Sequence, residues 1–351
     1  MRGVMDRLLA PQAETGYRPG MTQTLFDLCA VGNAIVDVIA PCDDAFLARE
    51  GLTKGGMMLI DEARAVSLYG AMAAGMEASG GSAGNTVAGA ASFGGRAAYI
   101  GKVADDQLGE VYRHDMRAIG AAFDTPDLVG GAATGRSLIN VTGDGQRTMS
   151  TFLGAANQLM PDDIDADLVA ASEILYLEGY LFDPADARAA FERAAEVAHA
   201  AGRRVAVTLS DTFVVDRWRS ELLTFIAASC DIVLANEAEL LSLFEETDFE
   251  AALARLRPLV QTAAVTRSEK GSVIVHGDER VEVAAYPVDK VVDTTGAGDQ
   301  YAAGFLLGLA RGLPLAICGR LGSLAAAEVI EHWGPRPQVS LRSMAEAEGL
   351  I

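Results

Sequence analysis

Short apolar runs alternate with longer helix-like stretches through the second half of the chain. The apolar runs have the length and composition of buried strands and occupy residues 174–177, 204–209 and 231–235. The helix-like stretches follow them at residues 186–201, at 218–228 and from residue 236 onward. Because parallel strands need a crossover helix between them, this alternation predicts an α/β fold with a parallel sheet and helices on both faces.

The same pattern continues toward the carboxyl terminus. A strand is predicted at 263–266, a hairpin at 272–275 and 282–285, and a last clear helix at 321–331. Between them, residues 300–311 form an apolar segment that stops at Gly312-Leu313-Pro314, as a buried helix would.

The first strand of the chain carries polar residues in an alternating pattern. Residues 28–31 are apolar, and after Gly32 the positions Asn33 and Asp37 share one parity, which places them on one face of an extended strand. Polar groups on so apolar a segment need partners. Two interpretations remain open: a structural Asp37 satisfied by backbone groups, or a pair that binds the hydroxyls and ring of a ligand.

The region between residues 40 and 152 has weaker patterns. Short strands of a small sheet are predicted over 46–60, and a helix is predicted over 61–76. Residues 134–152 predict strand, turn and strand, with Asp144-Gly145 as a strong hairpin signal. Arg136 precedes the first of these strands, and an arginine in that position is usually solvated.

Two glycine-rich segments each precede a helix. Gly80-Gly81-Ser82-Ala83-Gly84-Asn85 predicts an exposed helix start with Ser82 as its cap and Asn85 in its first turn, although a plain strand–helix turn explains the same residues. The dinucleotide-binding pattern GxGxxG is not matched here, which argues against a Rossmann dehydrogenase.

The second glycine-rich segment, residues 293–299, reads Asp-Thr-Thr-Gly-Ala-Gly-Asp and runs into the apolar helix at 300–311. Free backbone N–H groups and the helix dipole make such a helix start an anion site. Asp299 would repel a bound phosphate unless it takes a proton from an attacking hydroxyl, so the segment suggests phosphoryl transfer to an alcohol. The alternative is that Asp299 is a helix cap.

Asn236 and Glu239 stand three residues apart at the start of a predicted helix. They are neighbours on one helix face and also match a capping-box pattern, so a functional and a structural interpretation are equally open.

Composition narrows the class of protein. The 351 residues include 48 Asp and Glu against 28 Lys and Arg, a net charge of −20, which argues against nucleic acid or an acidic membrane surface as a partner. ATP would have to be attracted locally by amides, a few cations and a metal ion. The four cysteines form no CxxC or Cys/His cluster, so neither a zinc site nor a disulfide framework is indicated, and we expect a cytoplasmic location.

The chain contains no run of about 18 apolar residues that would predict a transmembrane helix. Residues 1–20 lack the apolar region of a signal peptide and are rich in Gly and Pro. We expect either that Met21 is the natural start or that residues 1–22 form a disordered leader.

Taken in order, these motifs resemble those of the ribokinase-like (PfkB) carbohydrate and nucleoside kinases, over roughly residues 27–339. The resemblance implies a three-layer α/β/α sandwich with a mostly parallel central sheet. It implies one kinase domain at residues 23–342, with a small β lid from about 40–60 and 121–152. Within residues 293–299 it implies that the amides of Gly296, Ala297 and Gly298 form an anion hole and that Asp299 is the catalytic base.

Several motifs are similar to those of the adenosine kinase branch in particular. There the residues matching Asn33, Asp37, Gly81, Asn85, Arg136, Tyr180 and Phe213 bind the substrate: the base, the ribose hydroxyls or, for the arginine, phosphate. The residues matching Asn236, Thr266, Ser268, Gly271 and Gly298 bind ATP. Glu239 matches a position tied to Mg²⁺ through water, and Asp293 and Thr295 match positions that hold a monovalent cation such as K⁺ in some relatives.

The resemblance therefore implies ATP- and Mg²⁺-dependent phosphorylation of the 5′-hydroxyl of a nucleoside, foremost adenosine to AMP in purine salvage. The alternative is a sugar kinase of the ribokinase or fructokinase type. A ligand-binding or regulatory protein on a kinase scaffold is a third class, against which Asp299 argues, because a pure binder gains nothing from a carboxylate beside phosphates. Both a monomer and a homodimer remain open.

Overall fold

The computed structural model describes residues 24–351, so the expected leader at residues 1–22 lies outside the described residues. The strands are β1 (Phe26–Val31), β2 (Ile35–Cys42), β3 (Met57–Leu59), β4 (Met76–Ser79), β5 (Ala97–Ile100), β6 (Gly135–Thr142), β7 (Arg147–Phe152), β8 (Ser172–Glu178), β9 (Arg204–Thr208), β10 (Ile232–Asn236), β11 (Thr262–Thr266), β12 (Ser272–His276) and β13 (Glu279–Val283). The α-helices are α1 (Asp44–Glu50), α2 (Glu62–Ala71), α3 (Ser82–Ser92), α4 (Gln107–Ala118), α5 (Ala166–Ala170), α6 (Ala185–Ala200), α7 (Thr212–Ser229), α8 (Glu237–Phe244), α9 (Phe249–Leu256), α10 (Ala297–Ala310), α11 (Leu315–Ile330) and α12 (Leu341–Ala347).

The main sheet has the strand order β13-β12-β11-β10-β9-β8-β1-β5. Every neighbouring pair from β11 to β5 is parallel. At the other edge, β12 and β13 run antiparallel as a hairpin. The predicted, mostly parallel sheet is confirmed.

Helices cover both faces of the main sheet. In β1, Cys29 and Val31 enter a core shared with residues of α6, α7, α8 and α9. Leu28 and Ala30 point the other way, into a core shared with residues of α3 and α10. Because both faces are buried, the strand is apolar at every one of these positions. This is the three-layer α/β/α arrangement that the resemblance implied.

A second, mixed sheet lies beside the main one, in the order β3-β7-β6-β2-β4. The chain passes from β1 into β2 after a break at residues 32–34, so one segment supplies a strand to each sheet. The small sheet draws on residues 35–79 and 135–152, whereas the expected lid covered 40–60 and 121–152.

Two expectations in the small-sheet region are confirmed only in part. Of residues 46–60, only Met57–Leu59 (β3) form a strand of the small sheet, whereas residues 46–50 lie in α1, which the Asp43 side chain caps by accepting a bond from the Phe46 amide at 2.7 Å. The helix expected over 61–76 ends at Ala71, and β4 begins at Met76, where the backbone pairs with Ile39 of β2. In both places caps and strand pairing outweigh a weak local pattern.

Smaller differences concern the ends of elements. Helix α7 begins at Thr212 rather than at 218, with a kink at Trp218, and α11 begins at Leu315 rather than at 321. The second strand of the carboxyl-terminal hairpin, β13, comes three residues earlier than expected because its turn is short. Among residues 24–351, no helix has the length and apolar content needed to cross a membrane.

Candidate active site

A cavity of about 530 Å³ lies between the small sheet and the carboxyl ends of the main-sheet strands. Its main-sheet side includes the last residues of β8 to β11, which are Glu178, Thr208, Asn236 and Thr266. Its small-sheet side includes Ile35, Asp37, Ser137, Ile139, Met149 and Thr151. Ligands of open α/β sheets bind at the carboxyl ends of the strands, and this volume suits a small molecule.

The start of α10 forms one wall of this cavity. Gly296 is the residue before the helix and has φ +79°, and a Cβ there would stand 2.5 Å from Pro335, so only glycine fits without strain. A Cβ at Gly298 would meet nothing within 4 Å. The amides of Gly296 and Gly298 donate to no described residue, whereas the Ala297 amide donates to the Thr294 carbonyl at 3.2 Å. The wall therefore presents free N–H groups to a cavity, as an anion site requires.

Asp299 lies in the first turn of α10, but its side chain is held by α3. Oδ1 accepts a hydrogen bond from the Ser82 hydroxyl at 2.6 Å, and Oδ2 accepts one from Nδ2 of the Asn85 side chain at 3.0 Å. The residue before α10 is Gly296, so Asp299 is not the cap of its own helix. Ser82 is not the predicted cap of α3 either, because it is the first residue of the helix and its hydroxyl donates to Asp299. Burial raises the pKa of Asp299 to about 6, and the two hydrogen bonds oppose that rise.

Asp37 faces the cavity from β2. Its carboxylate accepts no hydrogen bond from any residue between 24 and 351. Burial raises its pKa to about 6, while Arg336 and Arg147 act in the opposite direction. A carboxylate in this state has free acceptor sites directed at whatever fills the cavity.

Asn33 lies in the break before β2 and also lines the cavity. Its side-chain amide donates to Glu178 at 2.9 Å, and its Oδ1 is buried without a hydrogen-bond partner among the described residues. Glu178 also accepts from the backbone amide of Ala83 at 2.8 Å, and burial raises its pKa to about 7. Through these hydrogen bonds, Glu178 connects the segment between β1 and β2 to the start of α3.

Gly81 and Asn85, both expected to bind the substrate, are engaged in contacts within the protein. Gly81 has φ +81° and packs so closely on the Asn33 carbonyl that a Cβ would collide with it. Both polar atoms of the Asn85 side chain are already hydrogen-bonded, since its Nδ2 donates to Asp299 and its Oδ1 accepts from Arg336 at 3.4 Å.

Two aromatic side chains also line the cavity. The centre of the Tyr180 ring lies 6.1 Å from the centre of the Phe213 ring.

A family model described as pfkB family carbohydrate kinase matches residues 59–341. The chain belongs to this family. The expected enzyme class is thereby confirmed: this pfkB protein is a kinase that transfers a phosphoryl group to an alcohol. A pfkB kinase uses ATP with Mg²⁺, and its acceptor is a sugar or a nucleoside.

Solved structures resemble the chain over nearly its whole length. The crystal structure of adenosine kinase from Sinorhizobium meliloti is 55% identical, with a TM-score of 0.85 over 92% of this chain and 99% of that one. The crystal structure of a probable sugar kinase from Rhizobium etli CFN 42 is 51% identical, with a TM-score of 0.87 over 94% and 100%. Adenosine kinase of Saccharomyces cerevisiae is 27% identical over 332 residues, 88% of this chain and 96% of the relative. The ribokinase-like fold is confirmed.

The expected ATP-binding residues of this pfkB kinase are only partly gathered. Asn236 and Thr266 line the cavity, and Asn236 forms a complete capping box with Glu239. Ser268 and Gly271 do not line it. They belong to the short turn between β11 and β12, where the Gly271 amide donates to the Ser268 carbonyl at 3.0 Å.

The fit of Mg²⁺ depends on Glu239. Its carboxylate lines the cavity, and burial raises its pKa to about 7, with the nearby charge of Asp211 adding to the rise. Oε1 and Oε2 of Glu239 each accept one hydrogen bond from Asn236, and because a carboxylate offers about four acceptor sites it can also accept from a water molecule of a hydrated ion. Among residues 24–351, no group of three or more His, Cys, Asp or Glu could hold a metal alone. A single carboxylate acting through water, with phosphate oxygens completing the shell, is a common Mg²⁺ arrangement, so the residues fit.

Arg136 is not brought to the cavity. It lies within β6 rather than before it, and it pairs with Val36, while its neighbour Ser137 pairs with Asp37. Since successive side chains of a strand point to opposite faces, Ser137 faces the cavity and Arg136 faces away, 6.0 Å over the ring of Tyr69. The role implied for Arg136 at the phosphates finds no support in this placement.

Asp293 and Thr295 are engaged with each other and with distant parts of the chain. Oδ1 of Asp293 accepts from the Thr295 hydroxyl at 2.7 Å and from its amide at 3.1 Å. Oδ2 accepts from the Gly334 amide at 3.2 Å and lies 2.8 Å from Nη2 of Arg147. These residues do not offer an open cation site.

Sequence reasoning missed three charged residues near this site: Glu178, Arg147 and Arg336. Glu178 carried a signal, because it is a carboxylate that directly follows the apolar run at residues 174–177. The two arginines lie in a hairpin and in a loop without any motif, so no local pattern distinguished them.

Proposed function

We propose that this pfkB kinase phosphorylates the 5′-hydroxyl of a nucleoside, foremost adenosine, with ATP. The observation that carries the proposal is the free carboxylate of Asp37 facing the cavity across from the held carboxylate of Asp299. A buried charged acceptor is costly unless it is hydrogen-bonded, and the paired hydroxyls of a ribose supply two donors at once. The 55% identity to a protein described as an adenosine kinase supports the choice of acceptor.

The residues then have the following roles. The 5′-oxygen attacks the γ-phosphorus of ATP, the new P–O bond forms as the bond to the β–γ bridging oxygen breaks, and ADP leaves. Asp299 accepts the proton of the attacking hydroxyl, and Ser82 and Asn85 keep its carboxylate oriented. The free amides of Gly296 and Gly298 stabilise the charge on the group in transfer. Mg²⁺, held near Glu239, would offset the charge of the phosphates.

The remaining cavity residues would bind the nucleoside. Asp37 would accept bonds from the ribose hydroxyls, and Tyr180 and Phe213 offer ring faces for the base. The small sheet would cover the acceptor and exclude water from ATP. A second candidate is a sugar kinase, which the 51% identity to a probable sugar kinase favours.

The decisive experiment compares kcat/KM for adenosine, 2′-deoxyadenosine, ribose and fructose in an assay of ADP release. Because a site built to bond hydroxyls rejects analogues that lack them, we expect 2′-deoxyadenosine to be poorer than adenosine by on the order of 10²-fold or more. Asp37→Ala should lose most activity and most of this discrimination. Asp44→Ala, which removes an exposed carboxylate of α1, is the matched control and should retain both.

If a free sugar exceeds every nucleoside in kcat/KM, the nucleoside kinase assignment is wrong and the sugar kinase stands. If Asp37→Ala still distinguishes the two nucleosides as the natural protein does, Asp37 does not bind the ribose.

A further inference from the structure

A buried ion pair joins the small sheet to the segment that leads into residues 296–298, the turn at the start of α10 that we call the anion loop. Nη2 of Arg147, the first residue of β7, lies 2.8 Å from Oδ2 of Asp293, and the two side chains are only 7% and 8% exposed. The guanidinium also lies 5.0 Å over the ring of Trp333. Hydrogen bonds from Thr295 and Gly334 satisfy the carboxylate, whereas Nε and Nη1 of Arg147 are buried without a hydrogen-bond partner among the described residues. The buried guanidinium therefore depends on the charge of Asp293 for its compensation.

Most acceptor sites of the Asp293 carboxylate are occupied. An ionised carboxylate offers about four lone-pair sites. Thr295 provides two hydrogen-bond donors and Gly334 provides one, and Nη2 of Arg147 makes an ion-pair contact with Oδ2. A monovalent cation on the same oxygens would also stand beside the guanidinium, and two like charges that close and that buried repel each other strongly.

The turn before Arg147 is shaped to bring the arginine there. A Cβ on Gly145 would lie 2.8 Å from the Trp333 ring, so the hairpin tip packs directly on this tryptophan. The following loop supports the anion site, because Pro335 packs against Gly296 and its carbonyl accepts from Gln300 of α10 at 2.9 Å. Arg147, Trp333 and the anion loop thus form one connected structure.

We propose that the guanidinium of Arg147 supplies the positive charge that a bound monovalent cation would otherwise supply at Asp293, and holds the anion loop in shape without any such ion. Arg147 is a positioning residue, since it acts through Asp293 and Thr295 on the adjacent Gly296. The inference rests on the proposed role of the anion loop in phosphoryl transfer, but not on the identity of the acceptor.

The natural protein provides the first test. With its preferred acceptor and saturating ATP and Mg²⁺, we expect kcat in KCl and in tetramethylammonium chloride of equal ionic strength to agree within about twofold, since screening is then the same. A clear increase of kcat in KCl overturns the proposal.

The second test removes the guanidinium. Arg147→Met leaves Asp293 buried and uncompensated, so we expect kcat in tetramethylammonium chloride to fall by on the order of 10²-fold as the anion loop is misplaced. KCl should restore a large part of the rate. Arg64→Met is the matched control, because Arg64 of α2 bonds to Glu50 beside the small sheet and does not touch the loop. It should keep the natural rate in both salts.

Thermal unfolding gives a readout that needs no substrate, and so it separates this proposal from the choice of acceptor. K⁺ should raise the melting temperature of Arg147→Met and leave the natural protein and Arg64→Met unchanged. A folded Arg147→Met protein overturns the proposal if it keeps the full rate without K⁺, or if K⁺ restores neither rate nor stability. Should Arg147→Met not fold, Arg147→Gln replaces it, and the same outcomes decide.

Discussion

At the scale of single residues, the central feature is a carboxylate held from outside its own helix. Asp299 accepts from Ser82 and Asn85, which leaves it oriented but still available at the cavity. Burial raises its pKa to about 6, nearer to neutrality than the ordinary 3.8. A general base is most effective when its pKa lies near the working pH while it remains ionised. The environment of Asp299 meets both conditions at neutral pH.

We predict that Asp299→Asn retains the fold and ATP binding but lowers kcat by on the order of 10²–10⁴-fold, because the proton acceptor is lost. In the natural protein, kcat/KM should fall as the pH drops below about 6, where Asp299 becomes protonated. Initial rates, melting curves and ATP titrations measure these quantities. Asp248→Asn, at the exposed cap of α9, is the control and should keep the natural rate.

An Asp299→Asn protein with natural turnover would exclude Asp299 as the base. A flat profile of kcat/KM below pH 6 would exclude it as well.

At the scale of elements, α10 begins with a glycine in a left-handed conformation, and its first turn leaves free space on the side of the cavity. Gly296 is required by its positive φ and by Pro335, whereas Gly298 has a helical conformation and empty space where a Cβ would point. The two glycines therefore have different reasons for being glycine. Gly296 shapes the loop, and Gly298 keeps the amides of the helix start accessible from the cavity.

We predict that Gly298→Ala leaves the melting temperature unchanged or raises it, because alanine favours a helix over glycine by about 1 kcal/mol. Its Cβ should obstruct the approach of phosphate, and kcat/KM for ATP should fall about tenfold or more, since a hydrogen bond to a charged group is worth about 1.5–3 kcal/mol. Gly70→Ala in α2 is the matched control, at an exposed helical glycine that also has free space. It should gain stability and keep its activity.

The opposite result, a Gly298→Ala protein that binds and uses ATP normally, would show that phosphate does not approach this turn.

At the scale of the whole molecule, the two sheets enclose acidic groups between them. Asp37, Glu178, Glu239 and Asp299 all line the cavity, and burial raises the pKa of each. The chain as a whole also carries a net charge of −20. Burying these four acidic groups together therefore has an electrostatic cost in the absence of ligands, and bound cations and hydroxyl groups would reduce it.

We predict that Glu178 makes the ligand-free protein less stable as the pH rises. Its folded pKa of about 7 lies above its ordinary value of 4.5, so between these values the folded protein binds the proton more tightly than the unfolded chain does. The stabilisation is complete below about pH 4.5 and is lost as the pH rises through 7. The loss should amount to about 1–3 kcal/mol of unfolding free energy.

Denaturant unfolding at several pH values between about 5 and 8 measures this effect as the difference between the natural protein and Glu178→Gln. The variant should show the smaller decrease of unfolding free energy with pH. Equal slopes for the two proteins would show that Glu178 does not titrate in this range.

Much of the fold and part of the candidate site were predictable because they depend on contacts that are close in sequence. The alternation of apolar runs and helices follows from local periodicity, and so does the capping box of Asn236 and Glu239, three residues apart. The glycine-rich start of α10 was equally visible, since its turn geometry is local. Helix α1 was missed because its Asp43 cap decides the local structure, and β4 was missed because strand pairing with β2 decides where the helix gives way to a strand.

The chain by itself determined which segments are strands and helices and where an acid follows a glycine-rich turn at a helix start, because those properties depend on neighbouring residues along the backbone. Only the tertiary structure decided which side chains meet. Ser82 lies 217 positions from Asp299, Arg147 of the small sheet reaches Asp293 in the loop before α10, and Arg136 faces away from the cavity because of its strand register. Such partners depend on how the sheets pack and pair, which no local pattern of residues encodes.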